Sequence, residues 1–330
     1  MNAILSLLAV AGLALIALIG VEVANLHFFF GVIVPYAAIV LFLIGVISRV
    51  VKWGRTPVPF RIPTTCGQQQ TLPWIKQSKF DNPSTGGGVI VRMLLEVFLF
   101  RSLFSNTKFE LREGPKLAYS SAKWLWLGGL AFHWTFFIVL VRHLRLFTDP
   151  VPGFLKGIEA LDGFLQVGIP EVMISGVILL LAVTYLFLRR IFISNVRYIS
   201  LAADYFPLFL IMSVATSGIL MRYFLRVDLI SVKKLTMGLL TFSPSVPDGI
   251  SVVFYIHLFL VSTLFAYIPF SKIMHLGGVF LSPTRNLPNN SRMVRHINPW
   301  NYPVEVHTYQ EYEDDFRDKM KDAGIPVEKE

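Results

Sequence analysis

Four of the seven histidines in this 330-residue chain lie in or at the ends of two strongly apolar stretches, His133 and His143 in one, His257 and His275 in the other. An ionisable side chain in such surroundings is a functional hypothesis by default. Neutral imidazole ligates a metal through one ring nitrogen while an acceptor on the other nitrogen fixes the ring. A lone buried histidine is ordinarily a hydrogen-bonded core residue. Four histidines in two pairs point instead to two planar metal cofactors, each clamped from both sides, and haem has that shape. Iron held by two histidines has no open coordination position, so it transfers electrons rather than activating a substrate.

Chain order fixes the pairing. Two further apolar stretches separate the histidine-bearing ones, so these two run antiparallel: His143 meets His257 toward the outer face, and His133 meets His275 toward the cytoplasm. Eighteen residues at about 100° each bring His257 and His275 to one helix face, while ten residues leave His133 and His143 about 80° apart, a difference that helix tilt must absorb. The axial separations are about 27 Å and about 15 Å. Pro269 and Lys272 precede His275, which predicts a kink and a position near the interface.

Other residues carry weaker signals. Gly128 and Gly129, about one turn before His133, either admit a flat ring or make small-residue helix contacts. Arg142, Arg145 and Arg222 are candidates to pair with haem propionates, or ordinary membrane anchors. Arg142, Arg145 and Asp149 are the candidate quinone-site residues. His27, His296 and His307 have no partner at ligand spacing and read as structural or interfacial. A single cysteine, Cys66, excludes an intrachain disulfide, a CxxC pair and any four-cysteine cluster, so iron–sulfur chemistry would belong to a partner. Gly86, Gly87 and Gly88 follow no expected strand and lack the Lys-Ser/Thr of a phosphate loop; they read as a flexible turn.

The elements that must position these residues are membrane helices. Apolar residues make up 54% of the chain and charged residues 15%, against roughly 45–50% and about 25% in soluble domains; mean hydropathy is +0.59. Six stretches supply the roughly 20 apolar residues that a helical crossing needs, near residues 3–21, 26–47, 124–147, 172–188, 205–223 and 250–274. The first lacks a basic leader region and a cleavage site, and reads as a helix rather than a signal peptide. The +9 formal charge lies beside the apolar spans rather than in a separate basic domain, which argues against nucleic acid. Residues 48–123 hold twelve Lys/Arg against four Asp/Glu, placing this segment in the cytoplasm and, with six crossings, both termini there too.

Four regions follow: two N-terminal helices (1–50), a cytoplasmic loop with an interfacial helix (51–122), a four-helix di-haem domain (123–276) and a partner-binding tail (277–330). Prolines 57, 59, 63 and 73 and the Asp81-Asn82-Pro83-Ser84 run prevent regular structure over much of the loop, making it a linker or docking surface. The apolar run 89–104 carries Arg92, Glu96 and Arg101 and is expected to lie along the membrane surface. In the tail, Thr308 and Glu311 form a capping box, Tyr309, Tyr312, Phe316 and Met320 an apolar stripe, and Gly324 with Pro326 the stop. A partner subunit is the expected cover for that stripe.

The H-x9-H pair followed by H-x17-H on a later antiparallel helix resembles the gamma subunit of respiratory nitrate reductase, over about residues 124–275. Pro63-Thr-Thr-Cys66-Gly-Gln-Gln, Leu72-Pro-Trp-Ile-Lys76, the 98–104 segment and Asn298-Pro-Trp-Asn301 are similar to the cytochrome b (M) subunits of DsrMKJOP-type complexes. The resemblance implies an all-α bundle of about six transmembrane helices with a di-haem cytochrome b core in the cytoplasmic (inner) membrane. It also implies two b-type haems, menaquinol or menaquinone as substrate, a cytoplasmic iron–sulfur partner akin to heterodisulfide reductase, and further membrane and periplasmic subunits of a sulfur-metabolising complex. Two alternatives stand beside it: a cytochrome b of a nitrate reductase or another heterodisulfide reductase, and, from a different class, a haem-free transporter or anchor.

Overall fold

The computed structural model describes residues 1–56, 67–114, 116–164, 171–292 and 307–329. In chain order the helices are α1 (Asn2–Glu22), α2 (Phe29–Gly54), α3 (Gly86–Leu99), α4 (Arg101–Ser105), α5 (Lys123–Phe147), α6 (Gly153–Asp162), α7 (Ile174–Phe192), α8 (Ser194–Ile199), α9 (Ala202–Phe224), α10 (Leu229–Leu240), α11 (Val252–Phe270), α12 (His275–Leu281) and α13 (Tyr309–Asp322). Six of them, α1, α2, α5, α7, α9 and α11, are long and apolar enough to cross a bilayer, and the chain is an all-α, multi-pass membrane protein. Large apolar side chains such as Leu8, Ile44 and Leu181 are exposed along these helices. Lipid, rather than water, is the solvent that tolerates such a surface.

The crossing helices form an arc. α5 packs on α7, α7 on α9 and α9 on α11, with α1 against α9 and α11 and α2 against α11. The two ends of the arc, α5 and α11, make no comparable helix contact with each other; they face across a gap. Buried Val10, Val183, Phe209, Leu210 and Leu260 fill one core between α1, α7, α9 and α11. Val21, Phe30, Leu235, Phe254 and Tyr255 fill a second. Gly128 of α5 permits one of these contacts, because a Cβ there would stand 2.5 Å from the Tyr185 ring of α7.

Polar staples close both ends. At one, Asn2 Nδ2 donates to Ser200 O and Lys272 Nζ reaches Asp204 Oδ1 at 2.7 Å. The long loop is stapled there to the segment after α12, where Asn289 N–H donates to Pro83 O at 2.7 Å and its amide to Asn82 Oδ1 at 2.6 Å. At the other end, Lys233 pairs with Asp149 at 3.2 Å, Thr236 Oγ1 donates to Leu146 O and Tyr36 Oη to Leu239 O. Two helices in these links, α6 and α10, were not anticipated from the sequence. Asp228 begins α10 by accepting from the N–H groups of Ile230 and Ser231. Its contacts, the Ser231 hydroxyl first, hold its carboxyl below the ordinary carboxylate value.

The loop departs from expectation in two ways. Gly86, Gly87 and Gly88 are not a flexible turn. They form the first turn of α3, where the N–H groups lack intrahelical partners in any case, and Thr85 Oγ1 caps the helix by accepting from Gly88 N–H at 3.2 Å. Residues 107–121 form a two-stranded antiparallel hairpin, β1 (Thr107–Arg112) and β2 (Lys116–Ser121), with Phe109 opposite Tyr119 and a positive φ at Gly114. The proline-based reading missed this alternation. Pro57, Pro59, Pro63, Cys66, His296 and Asn298-Pro-Trp-Asn301 lie outside the described residues.

α3 is 14 residues long, short of the roughly 20 that a crossing needs. Phe100, at φ 50°, turns the chain into α4. That left-handed residue leaves α3's last carbonyls without helical partners. Two indoles of α5 supply them: Trp126 Nε1 donates to Leu99 O at 2.7 Å and Trp134 Nε1 to Phe98 O at 3.0 Å. The tail helix α13 carries its capping box as the sequence dictates. Met320 is buried, whereas Tyr309, Tyr312 and Phe316 are exposed. Buried Glu313 accepts from the Lys329 and Glu328 N–H groups, a set of bonds, Lys329's first, that holds its carboxyl below the ordinary glutamate value.

Candidate functional site

The gap between α5 and α11 brings the four histidines together in two pairs. At one end the rings of His143 and His257 lie 6.4 Å apart between centroids, with planes at 14°. At the other, His133 and His275 are 5.9 Å apart with planes at 81°. Two imidazoles on opposite sides of one metal, with bonds of about 2 Å each, place their centroids roughly 6 Å apart. Turning either ring about the bond axis changes the interplanar angle without breaking such a clamp.

The second ring nitrogen is committed in every case. Nδ1 of His133 bonds Gly129 O at 2.8 Å, that of His143 bonds Val139 O at 2.7 Å, and that of His275 bonds Lys272 O at 2.9 Å. His257 Nδ1 meets Ser217 Oγ of α9 at 2.8 Å. Since Ser217 Oγ is also within bonding distance of Ser213 O and Val214 O, its proton goes to a carbonyl and its lone pair accepts from the imidazole. Nδ1–H is therefore the donor throughout, and Nε2 is left as the basic nitrogen. Carbonyl and hydroxyl acceptors of this kind fix tautomer and orientation.

His133, His143 and His275 are exposed. Among the described residues no group of three or more His, Cys, Asp and Glu could hold a metal ion. Two imidazoles alone make a poor site for a bare ion. They suit a cofactor that brings its own equatorial donors and takes one ligand above and one below, so the donor set fits haem.

The path to His275 differs from expectation. The sixth span was expected to continue to residue 274 with a kink at Pro269, and five turns to align His257 and His275. Instead α11 tightens to a 3₁₀ turn at Ile268–Phe270, and Ser271 is extended, φ −115° and ψ 177°. Pro269 cannot donate to the ladder, and the regular helix does not continue past this turn. Ser271 Oγ then caps a second 3₁₀ turn, Lys272–Met274, by accepting from Ile273 N–H. His275 opens α12, and its place depends on this break.

The arginines at the His143–His257 end are engaged. Arg142 donates to Asp162 at 2.6 Å and to Ser175 Oγ at 3.2 Å, and Arg145 pairs with Glu159 at 2.9 Å. Arg222 reaches Glu171 O and lies over the Tyr223 ring. The Nε atoms of Arg142 and Arg222 are nonetheless buried without a partner among the described residues. Asp149 is bound to Lys233. His27 makes an edge-to-face contact with Tyr255 at 5.3 Å, and His307 is exposed.

Sequence reasoning missed the surroundings of His133 and His275. A cavity of about 390 Å³ touches both rings and is lined by Leu125, Gly129 and Leu186 of the bundle and by Phe100, Ser102 and Leu103 of the α3–α4 elbow, with Glu96 and Arg285 among its few polar groups. The Phe100 ring stands edge-on to His133 at 4.9 Å. A Cβ on Gly129 would meet nothing within 4 Å. Gly129 thus borders open space, while Gly128 serves helix packing. Ser217, on a helix without a histidine, carried no signal beyond being a small polar residue inside a span.

Residues 99–296 match the family model for the nitrate reductase gamma subunit. That range includes all four histidines and leaves out α1, α2 and most of the loop. Over 284 residues, 84% of each chain, the sequence is 48% identical to the Hdr-like menaquinol oxidoreductase cytochrome b-like subunit of Archaeoglobus fulgidus. It is 43% identical over 279 residues, 82% of each chain, to the protein of the same description from Archaeoglobus profundus. These relatives extend the likeness beyond the histidine-bearing domain.

Proposed function

The chain belongs to the nitrate reductase gamma subunit family, and we propose that it is the di-haem cytochrome b subunit of a heterodisulfide-reductase-like menaquinol oxidoreductase. Its task in this reading is electron transfer between menaquinol or menaquinone in the membrane and a cytoplasmic iron–sulfur subunit. The two relatives, described as menaquinol oxidoreductase subunits of Hdr-like type, support the quinone and the partner class. The observation that carries the proposal is the facing of four imidazoles in two pairs, each with Nδ1 already bonded. When bound, haem supplies one-electron redox chemistry at an iron with no open position for substrate.

The chain's own residues do the rest. His143 with His257, and His133 with His275, would hold the two haems, each pair through the Nε2 atoms that its Nδ1 bonds leave free. Gly129 O, Val139 O, Ser217 Oγ and Lys272 O keep the imidazoles neutral and oriented. The positive residues of the 48–123 segment put the His133–His275 end on the cytoplasmic side of the inner membrane, with both termini. Arg142, Arg145 and Asp149 are the quinone-site candidates at the opposite end, held by their ion pairs to Asp162, Glu159 and Lys233. The exposed Tyr309, Tyr312 and Phe316 face of α13 is assigned to the iron–sulfur partner. The likeness of the loop and tail to M subunits of DsrMKJOP-type complexes supports a role for the complex in dissimilatory sulfur metabolism.

An absorption spectrum of the detergent-purified chain tests the core of this reading. Dithionite is expected to produce sharp low-spin b-type bands with about two haems per chain. A featureless spectrum from chain expressed with adequate haem would end the cytochrome reading. Purification of the native complex identifies the partner.

A further inference from the structure

The cavity beside His133 and His275 combines an apolar wall with two charged side chains. Around the imidazoles its wall is Leu125, Gly129, Leu186, Leu103 and Phe100; its charged groups are one carboxylate and one guanidinium, Glu96 and Arg285. The cover over it is built rather than loose. α3's end is fastened to α5 by the Trp126 and Trp134 indoles on either side of His133 in sequence, and Phe100 rests edge-on to His133.

Glu96 does not depend on Arg285. Its carboxylate accepts from the Ser102 N–H and hydroxyl, which turn α3 into α4, and it is largely buried. Arg285 touches it at only 3.4 Å, with 39% of its side chain exposed. A loose ion pair of this kind contributes little. The guanidinium is held near the cavity without being consumed there, and its fork matches a carboxylate bidentately.

We propose that Arg285 is a haem-binding residue: the cation that receives the carboxylate edge of the group held by His133 and His275, whose apolar body the rest of the cavity accepts. The assignment rests on the di-haem reading above. It makes the segment after α12 and the α3–α4 elbow parts of this haem pocket, rather than only partner-facing loop. Glu96 is a positioning residue here, fixing the elbow and leaving a negative charge beside the guanidinium.

The signs of the electrostatic effects give the test. A positive charge beside the haem favours its reduced form, and a negative charge disfavours it. Potentiometric titration of the full-length chain in detergent, followed by the b-type absorption band, is compared for wild type, Arg285→Gln, Arg285→Lys and Glu96→Gln. The component that disappears in His133→Ala marks the relevant haem. Arg285→Gln is expected to lower that component's midpoint potential and Glu96→Gln to raise it, while Arg285→Lys restores most of the wild-type value and the other component stays put. Were the pair only a staple between elbow and tail, either neutral variant would break the same contact and shift the potential the same way, or not at all; either result overturns the assignment. Wild-type chain without haem would instead remove the di-haem reading itself. A haemochromogen assay on each variant separates lost haem from shifted potential.

Discussion

At the scale of single residues, the antiparallel facing of His143 with His257 and of His133 with His275 makes a strict genetic statement. Replacing His143 by Ala and replacing His257 by Ala should each remove the same haem, leaving about one per chain with unaltered redox behaviour. Loss of different haems in the two variants, read by haem content and potentiometry, would break the pairing. Ser217 adds a subtler case. Ser217→Ala removes the acceptor for His257 Nδ1–H and leaves a buried donor with no partner. Losing an outer-shell acceptor typically costs about 10- to 100-fold in affinity, so this variant should release one haem faster on dilution in detergent while His133 and His275 keep theirs. The histidines were legible in the sequence because imidazole is expensive in an apolar span and needs a reason to be there. Ser217, Glu96 and Arg285 were not, since a small hydroxyl or a loop charge acquires meaning only from what the fold sets beside it.

At the scale of elements, the α3–α4 elbow is seated on α5 by specific bonds. The two indole bonds from Trp126 and Trp134 satisfy carbonyls that the left-handed Phe100 strands, and such a bond is worth about 1 kcal/mol net. Trp126→Phe combined with Trp134→Phe should therefore loosen α3 by about 2 kcal/mol, seen as hydrogen exchange in residues 91–99 roughly 30-fold faster while exchange in α9 is unchanged. Equal protection in both proteins would mean that the elbow is held by its apolar face alone. Six crossings were readable because each is a long uninterrupted apolar run, and α13 because its cap, stripe and stop all agree. The broken end of α11 was read only as a kink. Pro269 announces a disturbance, but whether the chain bends or stops depends on Ser271 capping the next turn and Lys272 reaching Asp204, contacts supplied by the fold. The hairpin at 107–121 was hidden by its neighbours, since a proline- and glycine-rich loop masks two short alternating strands.

At the scale of the whole molecule, the two ends are different in kind. One gathers the loop, the α7–α9 link and the segment after α11, laced together through Asn82 with Asn289, Asp204 with Lys272 and Glu96 with Arg285. The other carries α6 and α10 with the ion pairs of Arg142, Arg145 and Asp149. Six successive crossings force this division, and the proposal that the first end is cytoplasmic rests on the twelve Lys/Arg of residues 48–123. Lys233 and Lys234 lie in the opposite link, and site-directed labelling measures the orientation. Single cysteines introduced in a Cys66→Ser background provide the label sites at Tyr198, 92% exposed in α8, and at Ile230, 81% exposed in α10. A membrane-impermeant maleimide should label position 230 in intact spheroplasts and position 198 only in inverted vesicles. The reverse pattern would turn the molecule over, put the His133–His275 pair and its elbow outside, and remove the route to a cytoplasmic iron–sulfur partner while leaving the histidine geometry untouched. Orientation and haem binding are thus separable claims, because one rests on the sign of loop charges and the other on four imidazoles across a gap.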